Sequence, residues 1–592
     1  MNLALGDWLV IAAYFVLAAG VGAAFARRGS RSAPDFFVGG RQLPWWLAGT
    51  SMVATTFAAD TPLAVTGMVA ENGIAGNWLW WNAVMSGILT VFFYARLWRR
   101  AEVVTDAEFA EIRYAGRPAV FLRGFRAVYL ALPINLIVMG WVNLAMVKIL
   151  DVTLGMDPWT AMGFLFVLTA AYSVLSGIWG VVATDFIQFI IAMAGSIVLA
   201  FFAMDAVGGM DGLRAGLARR YGSAEPMLAF FPEAGSEWMP AITLFVFLGV
   251  QWWAAWYPGA EPGGGGYVAQ RIFSARTERD GVLATLLFNV AHYALRPWPW
   301  ILVALASLVL YPTLEDPSSG YIRAMVDLLP TPLRGLLLAS FAAAYMSTIS
   351  TQLNWGASYL VNDLYLRFVR PDASVRRQVG ASRLATLFLF AASVVVTARL
   401  DSIAGAWRIL LSLGAGTGLV YILRWYWWRI NAWSEISAMV ASMVVSTLLQ
   451  AGFGLRSEEP REFAWLMLLT VGISTVVWVA ATYLTAPTPD DTLIAFYHRV
   501  RPGGPGWRRV AMAAGYGAEP MDGGALNWTN WVAGVVAVYA SLFGSGRLIF
   551  GQTLQGIGLL ALAALAFAWI ARSLARAEGV TPARAPAASG SS

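Results

Sequence analysis

The sequence predicts an all-α polytopic membrane protein with about 15 transmembrane helices. Of the 592 residues, 58% are hydrophobic and only 12% are charged, and the mean hydropathy is +0.62. Soluble domains carry about 25% charged residues. A membrane-spanning helix needs roughly 20 consecutive apolar residues, and stretches of this length recur along most of the chain. These three observations together indicate the fold class.

Applied along the chain, the 20-residue criterion gives about 15 predicted spans. They cover residues 6–26, 44–70, 77–97, 120–150, 157–177, 180–205, 239–257, 282–311, 332–366, 381–398, 404–424, 431–453, 463–485, 530–549 and 553–574. Two longer connections, 208–238 and 485–528, separate span 6 from span 7 and span 13 from span 14.

Basic residues predict the orientation of the spans, because short cytoplasmic loops carry an excess of Lys and Arg. The first span follows Asp7 and precedes a basic loop, which places the amino terminus outside. The loops then predicted inside carry Arg96, Arg99, Arg100, Arg271, Arg276, Arg279, Arg367, Arg370, Arg376, Arg377, Arg501, Arg508 and Arg509. The carboxyl terminus also falls inside, where the basic tail from Ala575 fits. We expect a multi-pass protein of the cell (inner) membrane.

The composition excludes several classes of function. The chain has no cysteine, so disulfides, thiolate catalysis and cysteine metal sites are excluded. His292 and His498 are the two histidines, which disfavours a histidine metal centre. The net charge of +6 needs no nucleic acid as a partner, because anionic lipid of the inner leaflet attracts the same basic residues.

The ninth predicted span carries a run of hydroxyl groups in an apolar helix, FAAAYMSTISTQLN at 341–354. Residues three and four apart share one helical face, so Ser347, Ser350 and Thr351 can direct their oxygens at one point. One turn earlier, Ala344, Ser347 and Thr348 form a second cluster, in which the alanine offers a carbonyl. Such neutral oxygens suit a hard, weakly charged cation. The alternative is close helix packing with hydroxyls bonded to the preceding turn.

Two other spans are more polar than lipid contact allows. Asp185 lies in the sixth span, where a carboxylate costs about 2.5–3.5 kcal/mol and is functional by default. The second span contains TSMVATTFAADTPLAVTG, in which Pro62 disfavours helix at Thr61 and frees carbonyls near 54–57 to face a ligand. The alternative is an ordinary proline kink whose backbone groups are satisfied by threonine side chains.

A third polar feature is the glycine-rich segment YPGAEPGGGGYVAQR at 257–271, which follows the seventh span. It lacks the lysine and the strand of a phosphate loop, and we interpret it as a flexible connector beside a transport path. Interrupted helices at corresponding places in two halves of a chain indicate a secondary transporter. We therefore expect a first span and inner loop at 1–43, two five-helix repeats at 44–205 and 206–428, and additional spans 12–15 with the basic tail at 429–592.

Five segments resemble the sodium:solute symporter family, whose core is the LeuT-type five-plus-five inverted repeat. They are DFFVGGRQLPWW at 35–46, YSVLSGIWGVVATDFIQ at 172–188, AQR at 269–271, AAYMSTISTQLNWGASYLVNDLY at 343–365 and LRWYWWRINAWSEI at 423–436. The resemblance implies a sodium site at Ala54, Phe57, Ala344, Ser347 and Thr348. It also implies the second sodium site of some members, which falls on Asp185, Ser347, Ser350 and Thr351.

The resemblance implies a sodium-coupled secondary active symporter that imports a small organic solute by alternating access, with Na⁺ as the coupling ion. A cage of hydroxyls and carbonyls can dehydrate sodium but offers no proton relay, so a proton-coupled carrier is the alternative. A transporter-like solute sensor is another, although the connection of about 44 residues between spans 13 and 14 leaves no room for a kinase domain. An enzyme is not expected, because the sequence shows no nucleophile–base pair, metal cluster or phosphate loop.

The solute is left open between amino-acid-like and sugar-like molecules, and its site is expected at the membrane midplane. Asp60 can pair with an amine of the solute, or instead with an internal cation such as Arg296. Aromatic residues at one end of span 7 can stack on a solute ring, or belong to the aromatic belt of the membrane interface. The candidate solute-binding residues are Thr55, Asp60, Thr61, Trp252, Trp253 and Trp256.

The connection 485–528 contains FYHRVRPGGPGWRRV, which is basic and aromatic. This composition suits an amphipathic element at the inner surface or a support for a gate, but a solvated linker is the first expectation. A monomer is expected to suffice for transport, and the sequence leaves the oligomeric state open.

Overall fold

In a computed structural model the chain is a bundle of helices. The structure describes residues 3–26, 37–233, 235–260, 266–400, 406–407, 410–411, 414–517, 520–521 and 523–580. Within these ranges the regular elements are helices, and the β-type contact between Leu43 and Ala275 is an isolated bridge. In lipid an unsatisfied backbone polar group costs several kcal/mol, so spanning segments must satisfy their own hydrogen bonds. The predicted all-α class is confirmed.

We number the principal helices in chain order. They are α1 (Leu5–Ala26), α2 (Trp45–Thr56), α3 (Thr61–Asn72), α4 (Ile74–Ala101), α5 (Phe109–Arg113), α6 (Gly116–Leu154), α7 (Pro158–Ala206), α8 (Gly209–Tyr221), α9 (Ala241–Ala254), α10 (Tyr267–Ser274), α11 (Glu278–Leu310), α12 (Gly320–Leu328), α13 (Leu333–Val369), α14 (Val375–Thr397), α15 (Gly418–Leu423), α16 (Ala432–Gly452), α17 (Pro460–Leu484), α18 (Asp490–Val500), α19 (Arg508–Ala513), α20 (Gly524–Ile549) and α21 (Thr553–Val580).

Length and apolarity identify 10 candidate membrane spans among the described residues, and the bent pair α2 and α3 makes up to 11. The apolar parts of α1 and α9 are shorter than a full span. The predicted spans 157–177 and 404–424 include side chains or residues outside the described part of the chain. The structure therefore supports a multi-pass chain, and the count of fifteen stays a prediction.

Helix α7 differs from the prediction of two separate spans at 157–177 and 180–205. The structure has one helical stretch of 49 residues and shows no break near residue 178. The Asp157 side chain caps this helix by accepting from two backbone amides at 3.1 Å. Its one proline, Pro158, lies in the first turn, where proline is tolerated. An interior glycine such as Gly180 costs only about 1 kcal/mol, which is too little to end a packed helix.

Helix α13 lies at the centre of the bundle. Its apolar window is 94% buried, against 17% for the peripheral α21. It packs against α1, α2, α6, α7 and α14. Small residues such as Ala343 and Ala344 let neighbouring backbones approach closely, which is the usual basis of helix packing in lipid. The hydroxyl-rich span of the sequence is thus the most deeply buried of the ten candidate spans among the described residues.

Two interruptions lie next to this central helix. The chain bends by 56° between α2 and α3, and it leaves the helical path between the end of α9 and the start of α10. Residues 261–265 of the predicted glycine-rich connector lie outside the described residues. The described part of that connector is buried, and Gly259 stands at a φ of 89°, which glycine adopts without strain.

Candidate functional site

The break between α2 and α3 exposes backbone carbonyls inside the protein. The Phe57 amide bonds the carbonyls of Val53 and Ala54 at 2.9 and 3.1 Å, and the helix then stops. Pro62 lies in the first turn of α3 and has no amide hydrogen, so it can start that helix but cannot continue α2. The sequence therefore produces a helix end in the centre of the bundle, where carbonyl oxygens are available to a ligand.

Helix α13 places hydroxyl groups against this break. The Thr348 hydroxyl lies 2.6 Å from the Thr55 carbonyl and 3.1 Å from the Ala344 carbonyl, and it can donate to either. The five residues of the first predicted sodium site are all buried, with at most 3% of each exposed: Ala54, Phe57, Ala344, Ser347 and Thr348. The structure brings Thr348 and the Ala344 carbonyl to the broken helix.

The hydroxyl of Ser347 is directed to a different partner. It donates to Oδ1 of Asp185 at 2.7 Å, while Ser51 donates to Oδ2 at 2.5 Å. Ser350 donates instead to the Ser347 carbonyl of the preceding turn, at 3.2 Å. Of the second predicted sodium site, Asp185 and Ser347 are therefore in direct contact, whereas the Ser350 hydroxyl is used within its own helix.

Arg271 fills the space around this carboxylate. Its guanidinium group is fully buried, and Nη2 lies 3.8 Å from Oδ2 of Asp185. The same group donates to Thr351 Oγ1 at 2.7 Å, to Ser51 Oγ at 3.1 Å and to Gln270 Oε1 at 2.8 Å. Two members of the predicted second sodium site, Asp185 and Thr351, thus contact an internal cation. The sequence predicts Arg271 in a cytoplasmic loop and as part of the AQR motif; the loop placement is wrong, because the structure buries this side chain beside Asp185.

A central cavity of about 120 Å³ adjoins the broken helix. Four of the predicted solute-binding residues line it: Thr55, Asp60, Thr61 and Trp256. Trp252 and Trp253 lie outside this lining. Their indole nitrogens donate to carbonyls of their own helix at 3.1 and 2.7 Å, and Trp252 packs 6.1 Å from the ring of Trp531 in α20. The interface alternative fits these two tryptophans better than stacking on a solute.

Two basic side chains of α11 also line the cavity. Arg296 donates to Thr56 Oγ1 at 2.9 Å and to the Val53 carbonyl at 3.3 Å, and His292 Nδ1 lies 3.0 Å from the same threonine oxygen. Both side chains are buried, and both face the cavity that Asp60 lines. The cavity wall therefore carries a carboxylate and a guanidinium together. His292 was missed as a candidate because a lone histidine in an apolar helix has no distinctive sequence pattern.

Side-chain amides complete the wall. Gln251 and Gln352 line the cavity and are only 5% and 2% exposed. The Oε1 atom of each is buried and accepts no hydrogen bond from the described residues. A buried acceptor without a donor is unfavourable by about 1–3 kcal/mol, so these two oxygens are suited to donors supplied by a bound molecule or by water.

A wider vestibule of about 800 Å³ lies beyond the central cavity. Four side chains line both spaces and separate them: Met68, Leu79, Trp407 and Leu411. At the rim of the vestibule, Lys148 of α6 pairs with Asp316 of the connection before α12. Partial burial raises the pKa of Asp316, but hydrogen bonds from Lys148 and Ser318 more than compensate, so the pKa lies below the usual value.

Comparisons with known proteins identify the family. A profile of the Sodium:solute symporter family matches residues 36–444. The chain belongs to this family. It is 24% identical to a sodium/glucose cotransporter of Vibrio parahaemolyticus, over 82% of this chain and 91% of that protein. It is 25% identical to sodium/glucose cotransporter 1 of Oryctolagus cuniculus, over 82% and 80% of the two chains.

Among solved structures, the chain shares the fold of a Na⁺-coupled sialic acid symporter captured in a substrate-bound, outward-open state. The TM-score is 0.67 at 20% identity, over 82% of this chain and all of that one. The predicted family is confirmed, and so is the expectation of a transporter rather than an enzyme. Membership of this family makes the chain a sodium-coupled solute symporter of the membrane and leaves its solute open.

Proposed function

We propose that this symporter imports a small organic solute through the central cavity, and that sodium bound where α13 meets the broken helix drives the transport. The observation that supports this most directly is the contact between the Thr348 hydroxyl and the Thr55 carbonyl, beside the cavity. An ion held there would join α13 to the interrupted helix. Discontinuous helices around a midplane site are the usual arrangement of a secondary transporter.

The proposed sodium ligands are the carbonyls of Ala54, Phe57 and Ala344 and the hydroxyls of Ser347 and Thr348. A hydroxyl has one donor and two acceptor lone pairs, so Thr348 can keep its bond to a carbonyl while its oxygen binds the ion. Ser347 would turn from Asp185 toward the ion. The ligand set is neutral, so the bound ion keeps its charge and the membrane potential acts on it.

A second sodium ion at Asp185, Ser347, Ser350 and Thr351 requires a rearrangement. Arg271 contacts both Asp185 and Thr351, and like charges in one buried cluster repel. We propose that a second ion enters only if the Arg271 guanidinium withdraws from the carboxylate. Proton coupling at Asp185 is the alternative, because this carboxylate is the group of the cluster that can gain and lose a proton.

The proposed solute is neutral overall, either zwitterionic like an amino acid or uncharged like a sugar. Asp60 and Arg296 give the cavity wall one negative and one positive charge. A solute with a net charge would leave a buried charge uncompensated, which is strongly unfavourable. Gln251 and Gln352 offer acceptors to N–H or O–H groups, and Trp256 offers an aromatic face.

We also propose an arrangement of the chain in the membrane. The arginine-rich helix ends and α18 and α19 would face the cytoplasm, and the vestibule would face outside, with the amino terminus outside and the carboxyl terminus inside. The regions 44–205 and 206–428 would form the two inverted repeats, because each contains one of the two interruptions, in or directly after its first predicted span. The additional helices α16, α17, α20 and α21 lie at the periphery of this core.

The first test is a thermal-shift screen of the detergent-solubilised protein against amino acids, sugars and vitamins, with sodium or potassium present. We expect one chemical class to raise the melting temperature in sodium but not in potassium. That solute should then accumulate in proteoliposomes along an imposed sodium gradient at constant pH. Accumulation that follows a pH gradient and ignores sodium would replace this proposal by proton coupling.

A further inference from the structure

The connection between α17 and α20 is packed into the protein rather than solvated. Its large side chains Leu493, Phe496, Tyr497, Val500 and Trp507 are at most 1% exposed. The sequence-based expectation of a solvated linker at 485–528 is therefore wrong for its described residues. The alternating basic and aromatic residues bury their aromatic side chains and leave arginines such as those of α19 at the surface.

One side of this segment contacts α5 and the residues just after α15. The Trp507 indole donates to the Trp425 carbonyl at 2.7 Å and stacks on Phe496, with ring centroids 5.4 Å apart. Phe496 also meets the ring of Phe109 in α5 at 5.7 Å. The Arg113 guanidinium lies 4.7 Å from the centre of the Trp507 ring. Aromatic and cation–π contacts of this kind favour a fixed geometry.

The other side of the segment holds the end of α4. Arg100 donates to the Val500 carbonyl at 3.4 Å, and Arg499 donates back to the Glu102 carbonyl at 3.2 Å. Two residues before Arg100, Trp98 donates to the Pro258 carbonyl at 2.7 Å. Pro258 belongs to the interruption after α9, two residues beyond the cavity residue Trp256. The segment thus contacts two parts of the chain: α5 with the residues after α15, and the end of α4, which is bonded to the interruption next to Trp256.

We propose that residues 490–513 act as a clamp. The clamp holds the transporter closed at its basic end, which is the end that carries the arginine-rich helix ends. This inference rests on the proposed function, because it assigns the clamp to the exit of the imported solute. For the solute to leave toward the basic end, the end of α4 must separate from α5 and α15. The clamp contacts both sides, so these contacts must loosen or break during release, and their strength sets how often the exit opens.

The fit of the clamp depends on Gly506. Its carbonyl accepts from the Trp428 amide at 3.1 Å, and a Cβ added at Gly506 would lie 2.0 Å from the Tyr426 carbonyl. Any side chain at this position must therefore push the clamp away from the end of α15. This gives a second way to weaken the clamp without removing an aromatic residue.

The chain has no cysteine, so the labelling rate of a single introduced thiol reports how often the exit opens. Thr417 lines a cavity of about 90 Å³ that also includes Arg126, Tyr257 and Tyr421, and its side chain is 8% exposed. Ala255 lines both this cavity and the central one. In Thr417→Cys protein, we measure the rate of labelling by a membrane-impermeant thiosulfonate added from the basic side of oriented vesicles, without sodium or solute.

We expect Trp507→Ala and Gly506→Ala to raise the labelling rate about tenfold, which equals about 1.4 kcal/mol. Trp507→Phe keeps an aromatic ring of smaller size and loses the hydrogen bond, so its rate should be intermediate. The control is Met512→Ala, which removes an exposed apolar side chain from α19 within the same clamp, and its rate should be unchanged. Equal rates in all variants would overturn the clamp. Because no transport is measured, this result is independent of whether sodium drives uptake.

Hydrogen exchange of the unmodified protein tests the same inference without any variant. If the clamp controls the exit, amides of α18 and α19 should exchange with the same opening rate as those at the end of α4 and in α5. Faster exchange of the clamp alone would show that it detaches without opening the exit. That outcome would also overturn the proposal.

Discussion

The Arg271 guanidinium lies 3.8 Å from the carboxylate of Asp185, and both side chains are completely buried. A buried ion pair is weak evidence for stability, because desolvation of both groups opposes their attraction. Removing one partner is strongly destabilising, because it leaves an uncompensated buried charge. The pair therefore links the stability of the bundle to the site at which the sequence predicts a second sodium ion.

We predict that Asp185→Asn destabilises the protein by about 3–5 kcal/mol, because Arg271 then stays buried without its counter-ion. The double variant Asp185→Asn with Arg271→Gln removes both charges and should recover much of the loss. Thermal unfolding of the two variants in detergent measures the difference. Equal losses in the single and double variants would show that the charges do not act as a pair.

The number of sodium ions per cycle is a separate prediction for Asp185→Asn. If a second ion uses this carboxylate, the ratio of charge to solute moved should fall by one. Two ions supply about 4.6 kcal/mol per 100 mV and one supplies about 2.3 kcal/mol, so accumulation at that voltage should fall from about 2500-fold to about 50-fold. Simultaneous current and uptake measurements give the ratio. An unchanged ratio would make Asp185 a structural partner of Arg271.

We predict that Ser347→Ala raises the sodium concentration for half-maximal uptake at least about tenfold. The variant removes a proposed sodium ligand, and also a donor to Asp185 at 2.7 Å. The matched control is Ser358→Ala, because Ser358 is a buried serine of α13 whose hydroxyl bonds the Trp355 carbonyl at 2.6 Å. If both variants show the same sodium dependence as the unmodified chain, the assignment of Ser347 is wrong.

Replacing Gln251 or Gln352 by leucine should raise the KM for the solute about 3- to 10-fold, since one hydrogen bond is typically worth about 0.5–1.5 kcal/mol. Uptake of the solute found by the thermal-shift screen provides the measurement. Trp253→Leu serves as the control, because its side chain lies outside the cavity lining. A larger effect at Trp253 than at the two glutamines would place the solute elsewhere.

The ion pair at the rim of the vestibule should contribute less stability in acid. The pKa of Asp316 in the folded protein is lower than its usual value of 3.8, so its pairing with Lys148 contributes stability above that pH. The contribution falls as the pH drops through the lowered pKa. We expect melting temperatures of the unmodified chain and of Asp316→Asn to differ at pH 7 and to converge below about pH 4. The difference should be small, because the pair is partly exposed. A constant difference would contradict the pairing.

Several parts of the site could be predicted from the sequence because they depend on local chemistry. Pro62 interrupts the second span by its missing amide, and the hydroxyls of Ser347 and Thr348 follow from helical spacing. The structure shows no break in α7 between the two predicted spans, because a hydropathy window measures apolarity and does not register whether a helix continues. That Thr348 lies beside the break and Ser347 beside Asp185 could be learned only from the tertiary structure.

The residues that the sequence did not reveal are those whose role depends on a distant partner. Arg271 becomes informative only when α10 places it beside Asp185 of α7, and Gln251 and Gln352 only when both face one cavity. Trp252, Trp253 and Trp256 look alike in sequence, yet only Trp256 lines the central cavity. The burial of Trp507 likewise depends on α15, which lies more than 80 positions earlier in the chain.

The buried pair also has an electrical consequence. Because Arg271 already balances Asp185, this cluster has no net charge when no ion is bound, and the empty carrier can reorient without moving charge through the membrane field here. A lone buried carboxylate would make that return step voltage-dependent by as much as about 2.3 kcal/mol per 100 mV. The membrane potential therefore drives the reorientation of the sodium-loaded protein. At this site the return of the empty protein moves no charge through the field.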